Sequence, residues 1–537
     1  MNRRISSDCS GWVIRVRRDG SNEQAYDAST GWMQAAGVAW RSAAGTVTAS
    51  QEEHRVRLLA RGVTGDPVEI SWDAAARRVS LIRRGLWSRP LYFWLGEAEL
   101  MAADSLRLLV SWLPFRPSLN PLALDVFLAL ESFPAPLTPF SDIHKVGVEE
   151  ICRIGLTDGR VTHTASPLPA RRPAELDESA EAVWKALRDA LASRARQCPD
   201  PMVLLCSGGL DSTILAHAMC GKGRALVLSY AGSWKDEIQR AQIAARHADL
   251  LLEAVQLPPF DGSQLEWYAS LLDEPLGSTS GFAFSHLCSR LPRQAWIVAG
   301  AGACTFSLVN ANHKRLSKAL SPPPGESIAQ SFWRQVAFTD EDTRRLLLGD
   351  EASFREDNPI EELALRGLRG REDVPGALLA FVRRQMCVEA EMTQLFPIFE
   401  AFGHVPVMPF FEPEVASALD RTPEAVLRDE HFGRRLLSRV AAFHCPGYVP
   451  PPRQLGGGLP LGEPGYPGEK TLRAAASDHK RGPLRHQGLE KLLDRCAGCE
   501  GAARFRLLRQ IWTAVLLQIW LEQISCESTM TSRNACL

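Results

Sequence analysis

Between residues 202 and 220 an apolar run, Met202-Val203-Leu204-Leu205-Cys206, meets Ser207-Gly208-Gly209-Leu210-Asp211-Ser212 and passes straight into a helical pattern. Two adjacent glycines weaken local structure and contribute no packing, so they belong where a ligand must approach the main chain. A helix N-terminus offers unpaired N–H groups, and with the hydroxyls of Ser207 and Ser212 beside it forms an anion site. Gly208 and Gly209 let backbone amides face a phosphate, and a helix from Thr213 adds its positive end. A carboxylate beside phosphates is repelled unless a cation lies between them, which makes Asp211 a Mg²⁺ ligand. The lysine of a P-loop is missing from this pattern.

The surrounding elements must hold that loop at the end of a strand. Val183, Leu187 and Leu191 recur at helical spacing ahead of the strand at 202–206. Beyond it come a helix (213–220), a strand (225–230), a helix (235–247), a strand (251–257), a helix around 265–272 and a strand (295–300). Strands alternating with helices predict a parallel sheet covered on both faces. Ligands bind such sheets at the C-terminal ends of the strands, where this loop lies. From about residue 315 onward the pattern is helical, with Pro- and Gly-rich interruptions at 321–325 and 446–468. The second interruption reads as a disordered insert or a mobile lid.

The first ~165 residues alternate in the manner of strands, as in GWVIRVRRDG (11–20), RRVSLIRRG (77–85), RPLYFWLG (89–96) and ICRIGLTDGRVTH (151–163), with helical stretches around 105–113 and 121–131. Residues 165–178, rich in Pro, Ala and charge, mark a boundary. The expected division is therefore 1–165, a linker at 166–178, and 179–537. At 537 residues the chain is too long for one core. A formal net charge of −1 gives no global pull towards nucleic acid or a membrane surface. The apolar run 511–521 is too short to span a bilayer. Thirteen scattered cysteines and no secretory signal suit a reducing cytoplasm. Cys496 and Cys499 form a lone CxxC without a second pair, which does not predict zinc.

The Ser207–Ser212 run resembles the pyrophosphate-binding loop of the ATP pyrophosphatases. Taken with Ser229-Tyr230, with Asp236-Glu237 opening the next helix, with LDEPLGS (272–278), and with Gly300-Ala301-Gly302 after a strand, it looks like the synthetase domain of asparagine synthetases. PFFEPEVASAL (409–419) is similar to that family's PFLD stretch, and RRGLWSRPLYF (83–93) resembles a segment of its glutaminase domain. The resemblance implies an α+β N-terminal glutaminase-like (Ntn-type) sandwich followed by an α/β ATP-pyrophosphatase-type domain with a helical C-terminal extension. It implies that ATP and Mg²⁺ are used. It places Ser229 near adenine, Gly300 and Gly302 against pyrophosphate, and Arg434 where the family carries a catalytic lysine. An arginine there stabilises phosphoryl charge and cannot act as a general base.

Departures from the family narrow the reading. Asn2 follows Met1 and the first cysteine is Cys9, so the glutaminase nucleophile is missing. A glutaminase-shaped domain without it resembles β-lactam synthetases and lasso-peptide cyclases, which activate a carboxylate as an acyl-adenylate for attack by an internal amine. The cyclase resemblance implies a precursor peptide as substrate, with a leader-binding protein and a leader peptidase as partners. Cys304 and Thr305 stand where the family carries an acidic pair, and Val405 where it carries a glutamate.

Three readings stay open: a macrolactam-forming ligase, a ligase using free ammonia, and a non-catalytic relative that binds ATP or peptide. Asp273 and Glu274 read either as acids near the substrate or as a loop cap before Pro275. His217, His247 and His286 read as surface or core histidines, Trp512 to Trp520 as helix packing, and Cys206 as a small buried residue.

Overall fold

The computed structural model describes residues 12–17, 33–35, 38–42, 47–52, 55–60, 68–165, 173–229, 235–257, 260–307, 318–349, 363, 374–427, 434–450, 458–463 and 466–534. Its N-terminal strands are β1 (Trp12–Arg17), β2 (Met33–Ala35), β3 (Val38–Ser42), β4 (Val47–Glu52), β5 (Arg55–Ala60), β6 (Val68–Asp73), β7 (Arg78–Arg83), β8 (Leu91–Leu95), β9 (Glu99–Ala103), β10 (Ile143–Val146), β11 (Glu150–Gly155) and β12 (Val161–Ala165). They form two antiparallel sheets, ordered β10-β8-β9-β1-β3-β2 and β12-β11-β7-β6-β5-β4.

Alternation decides what each face meets. Ile14, Phe93 and Ala102 share one core with Leu58, Ile70 and Leu81 of the second sheet, so the two sheets stack face to face. The intervening Val13, Tyr92 and Met101 point the other way, into the larger core that continues to the C-terminal helices. The first sheet is therefore buried on both faces. Helices α1 (Leu106–Trp112) and α2 (Pro121–Leu130) follow, capped by Ser105 on Leu108 N and by Asn120 on Ala123 N.

The second region comprises α3 (Leu176–Gln197), β13 (Met202–Leu205), α4 (Leu210–Met219), β14 (Gly223–Ser229), α5 (Lys235–His247), β15 (Leu251–Gln256), α6 (Gly262–Leu271), α7 (Ser280–Cys288), β16 (Trp296–Val298), α8 (Ala303–Ser307) and β17 (Val405–Val407). Val183, Leu187 and Leu191 of α3 are buried as their spacing predicts. The strands form one parallel sheet in the order β15-β14-β13-β16-β17. The chain leaves β13 on one side to build β14 and β15, then returns on the other to build β16. The loops after β13 and β16 thus diverge and open a crevice at the switch point.

Two expectations need correction. Helix α4 begins at Leu210, not Thr213, so Asp211 and Ser212 lie in its first turn. The chain beyond 315 is not purely helical, because β17 adds a fifth strand. With three residues and a central Pro406, β17 carries no strand pattern of its own; as an edge strand it can spare the missing N–H. A π-helical segment, Val382–Glu389, continues into the helix Ala390–Phe402 and brings two acids to different partners. Glu389 pairs with Arg83 of β7 at 2.7 Å in full burial. Trp512 and Trp520 are fully buried in the C-terminal helix Gly501–Asn534, Trp512 among the rings of Phe260, Tyr268 and Phe282. Among the described residues no helix is long and apolar enough to cross a membrane.

Candidate active site

Chain direction puts the loop after β13 at the open end of the sheet, and the packing of α5 dictates its glycines. Gly208 has φ +70°, and a Cβ there would stand 2.4 Å from Arg240 Cβ and 2.5 Å from Ala241 N. No side chain fits between loop and helix. Gly209 caps α4 with ordinary φ −74° and makes no side-chain capping bond, which leaves the first N–H groups of α4 facing the crevice. The serines brace the loop: Gly209 N donates to Ser207 Oγ at 3.3 Å, and Ser212 Oγ donates to Gly209 O at 3.2 Å.

The loop after β16 comes up against the first turn of α4, since a Cβ on Gly300 would meet Asp211 Cβ at 3.1 Å. Gly302 has φ +89° and lies under the ring of Phe411. Its N–H donates to Glu391 Oε2 at 3.0 Å. Arg434, directly before the helix Arg435–His444, donates from Nη1 to Asp211 Oδ2. Asp211, Arg434, Gly300, Gly302 and the Ser207–Ser212 loop are therefore brought together, as their types suggested. Ser229 ends β14, paired with Gln256; its side chain lies outside the described residues, as do Asn2 and Cys9.

Electrostatically the site holds one firm ion pair and one poised acid. Burial works against charge on Arg434, but the Asp211 carboxylate outweighs it and raises the guanidinium pKa. Burial lifts Glu391 to about 7, against the Gly302 N–H that favours the ionised form, with the Asp211 charge adding to the rise. Cys304 is pushed up by burial and by Asp211, so it is a thiol here and no substitute for a carboxylate. Thr305 is fully buried.

A divalent cation can be tested against these donors. Asp211 Oδ1 is buried and has no partner, which fits one ligand of a Mg²⁺ ion that takes its remaining oxygens from phosphate and water. Among the described residues there is no group of three or more His, Cys, Asp or Glu that could hold a metal by itself.

Sequence reasoning missed Glu391, Arg240 and Tyr448. Glu391, on the helix before β17, brings a buried carboxylate to Gly302, and Val405 is a strand residue. Tyr448 feels the charges of Asp211, Arg434 and Arg240 together, which brings this one residue of the 446–468 stretch near the site. That stretch is anchored in its described parts: Gly447 lies on His247, and Leu459 N donates to Thr279 Oγ1 at 2.9 Å.

Asp273 and Glu274, which read either as acids near the substrate or as a loop cap, are both buried. Asp273 accepts from Ser105 Oγ, Leu106 N and Arg107 N at 2.6, 2.8 and 3.1 Å, capping α1 from outside. Glu274 forms a fully buried pair with Lys145 at 2.5 Å. Both are held against residues of the N-terminal region by partners that no local pattern foretells. His217 and His286 are partly buried with depressed pKa values, as burial dictates.

The geometry agrees with one comparison. Residues 182–303 match the asparagine synthase family. That span carries the loop after β13, Asp211, α5 and the loop after β16, and it supports an ATP-dependent, amide-forming carbon–nitrogen ligase in general. No curated protein matches the chain. Among solved structures, glutamine phosphoribosylpyrophosphate amidotransferase from B. subtilis, complexed with ADP and GMP, aligns at 10% identity over 56% of this chain and 71% of its own. Its TM-score of 0.16 is too low to carry an argument. Arg434 and Glu391 lie outside the asparagine synthase-like span, and the tertiary fold returns them to it.

Proposed function

We propose that the chain is an ATP-dependent ligase that adenylates a side-chain carboxylate of a peptide and closes a macrolactam, releasing AMP and pyrophosphate. The carrying observation is the meeting of Asp211, Arg434 and Glu391 at the N-terminus of α4 inside the asparagine synthase-like segment. In this reading residues 1–165 are a glutaminase-like (Ntn-type) domain without its nucleophilic cysteine, 166–178 a linker, and 179–537 the synthetase domain. The precursor peptide would come with a leader-binding protein and a leader peptidase, in the cytoplasm.

In the first step a carboxylate oxygen attacks the α-phosphorus, and the bond from that phosphorus to the β-phosphate oxygen breaks. The amides of Gly208 and Gly209, the hydroxyls of Ser207 and Ser212, and Gly300 and Gly302 cradle the departing pyrophosphate. Ser229 lies near adenine. Arg434 stabilises charge that grows on the phosphoryl oxygens. Mg²⁺ bound at Asp211 Oδ1 would neutralise phosphate charge. In the second step the α-amine attacks the acyl carbon, AMP leaves, and the amine loses a proton. Glu391, with a pKa near 7, is the acid of the site suited to take that proton.

Binding without chemistry has one observation in its favour: Arg434 already neutralises Asp211, and Cys304 and Thr305 add no second carboxylate. ATP–[³²P]pyrophosphate exchange with the precursor peptide separates the readings. Peptide-dependent exchange upholds the ligase. Measurable ATP binding with no exchange, authentic peptide and partners present, overturns it.

A further inference from the structure

A second arginine borders the Ser207–Ser212 loop. Arg240 packs its own backbone and Cβ directly on Gly208, so its position is fixed by the same close approach that requires the glycine. Its Nε is buried without an acceptor. Among the described residues no carboxylate lies within ion-pairing distance of it. Glu237, one turn earlier on α5, is buried and has its pKa lifted to about 7 by burial, with Arg240 opposing, so it does not cancel the charge as a full carboxylate would. Tyr448 lies within electrostatic range of Arg240, Asp211 and Arg434 alike.

The charge balance gives this cation a purpose. Asp211 and Arg434 cancel each other, and the end of α4 contributes only about half a positive charge. A nucleoside triphosphate brings about four negative charges, two more than a monophosphate, and buried anions demand paired cations. We infer that Arg240 is a binding residue for the pyrophosphoryl part of the nucleotide, acting beside Arg434. This rests on the reading of the loop as an ATP site.

The test titrates ATP, inorganic pyrophosphate and AMP into the full chain and its Arg240→Met and Arg240→Lys variants, with thermal melting alongside. Methionine keeps the packing on Gly208 and removes the charge. Loss of one charged hydrogen-bonding group predicts about 10- to 100-fold weaker ATP and pyrophosphate binding for Arg240→Met. AMP affinity should stay within about twofold, and lysine should recover part of the loss. Should Arg240→Met fail to fold, the lysine variant decides alone, by a smaller loss confined to ATP and pyrophosphate. Unchanged pyrophosphate affinity, or an equal loss for AMP and ATP, overturns the assignment. Wild-type protein that binds none of the three overturns the ATP-site reading itself, a different result.

Discussion

Arg434 donates a hydrogen bond to Asp211, joining the entrance of one helix to the first turn of another 223 positions earlier in the chain. The pair holds the only carboxylate of the loop in place and leaves its second oxygen, Oδ1, buried and open.

Asp211→Ala removes that oxygen and leaves the Arg434 guanidinium without its counter-charge. Because the pair keeps more exposure than Arg83–Glu389, thermal stability is expected to fall, but by less than for that fully buried pair. Pyrophosphate exchange is expected to fall at least about 100-fold, the size of effect seen when a charge-stabilising group is lost. Full activity in this variant would dismiss Asp211 as a metal or phosphate partner.

The two loop glycines should separate stability from binding. Gly208→Ala forces a Cβ into the backbone of α5 at a positive φ, so a loss of about 2 kcal/mol or more is expected in denaturant unfolding. At Gly209 a Cβ meets only Ser207 Oγ, at 3.3 Å. Gly209→Ala should melt like wild type and still bind ATP less tightly, because the methyl crowds the approach to the α4 amides. Equal melting points for both variants would refute this account.

Arg83 and Glu389 tie β7 to the segment that leads into Glu391. Arg83 also donates to Val146 O at 2.7 Å and Ser88 O at 3.0 Å, so the buried guanidinium is well satisfied. Removing one partner strands a charge: Glu389→Ala should cost about 3–5 kcal/mol. The double variant Arg83→Met, Glu389→Leu should recover much of that, since apolar replacement of a whole buried pair is often close to neutral. Urea unfolding of the single and double variants checks both.

His286 gives the protein an acid sensitivity. It packs against Trp267 and Phe282 at 4.8 and 4.7 Å between ring centroids, and its Nε2 is buried without a partner. Burial, then the charge of Arg290, depress its pKa from 6.5 to about 4, with Asp261 opposing. Between those values the unfolded chain takes up a proton that the folded one refuses. The stabilisation is complete above about pH 6.5 and is lost as the pH falls towards 4, about 1–2 kcal/mol by pH 5. His286→Phe should lose less stability than wild type between pH 7.5 and pH 5 when urea midpoints are compared.

Several features were legible because they are local. A strand, two glycines, an acid and a helix follow one another within about a dozen residues, and chain order alone puts them at the open end of a parallel sheet. Alternation along β1, β7, β8 and β11 likewise foretold a sheet-rich N-terminal part, and the spacing of Val183, Leu187 and Leu191 foretold α3. The sequence by itself thus determined a glycine-rich strand-to-helix loop with Asp211 in it, and the mixed α/β frame around it.

Only the tertiary structure decided what that loop works with. Glu391 reaches Gly302 across 89 positions and Arg434 reaches Asp211 across 223, separations at which no periodicity or turn signal survives. The same holds for Asp273, whose three donors lie about 167 residues away and make a helix cap of what reads locally as either a site acid or a loop cap. Arg240 looks like one more charge on an amphipathic helix until α5 is laid on Gly208. A side chain's type and local spacing are written in the sequence, but its partner is chosen by which surfaces are buried against each other.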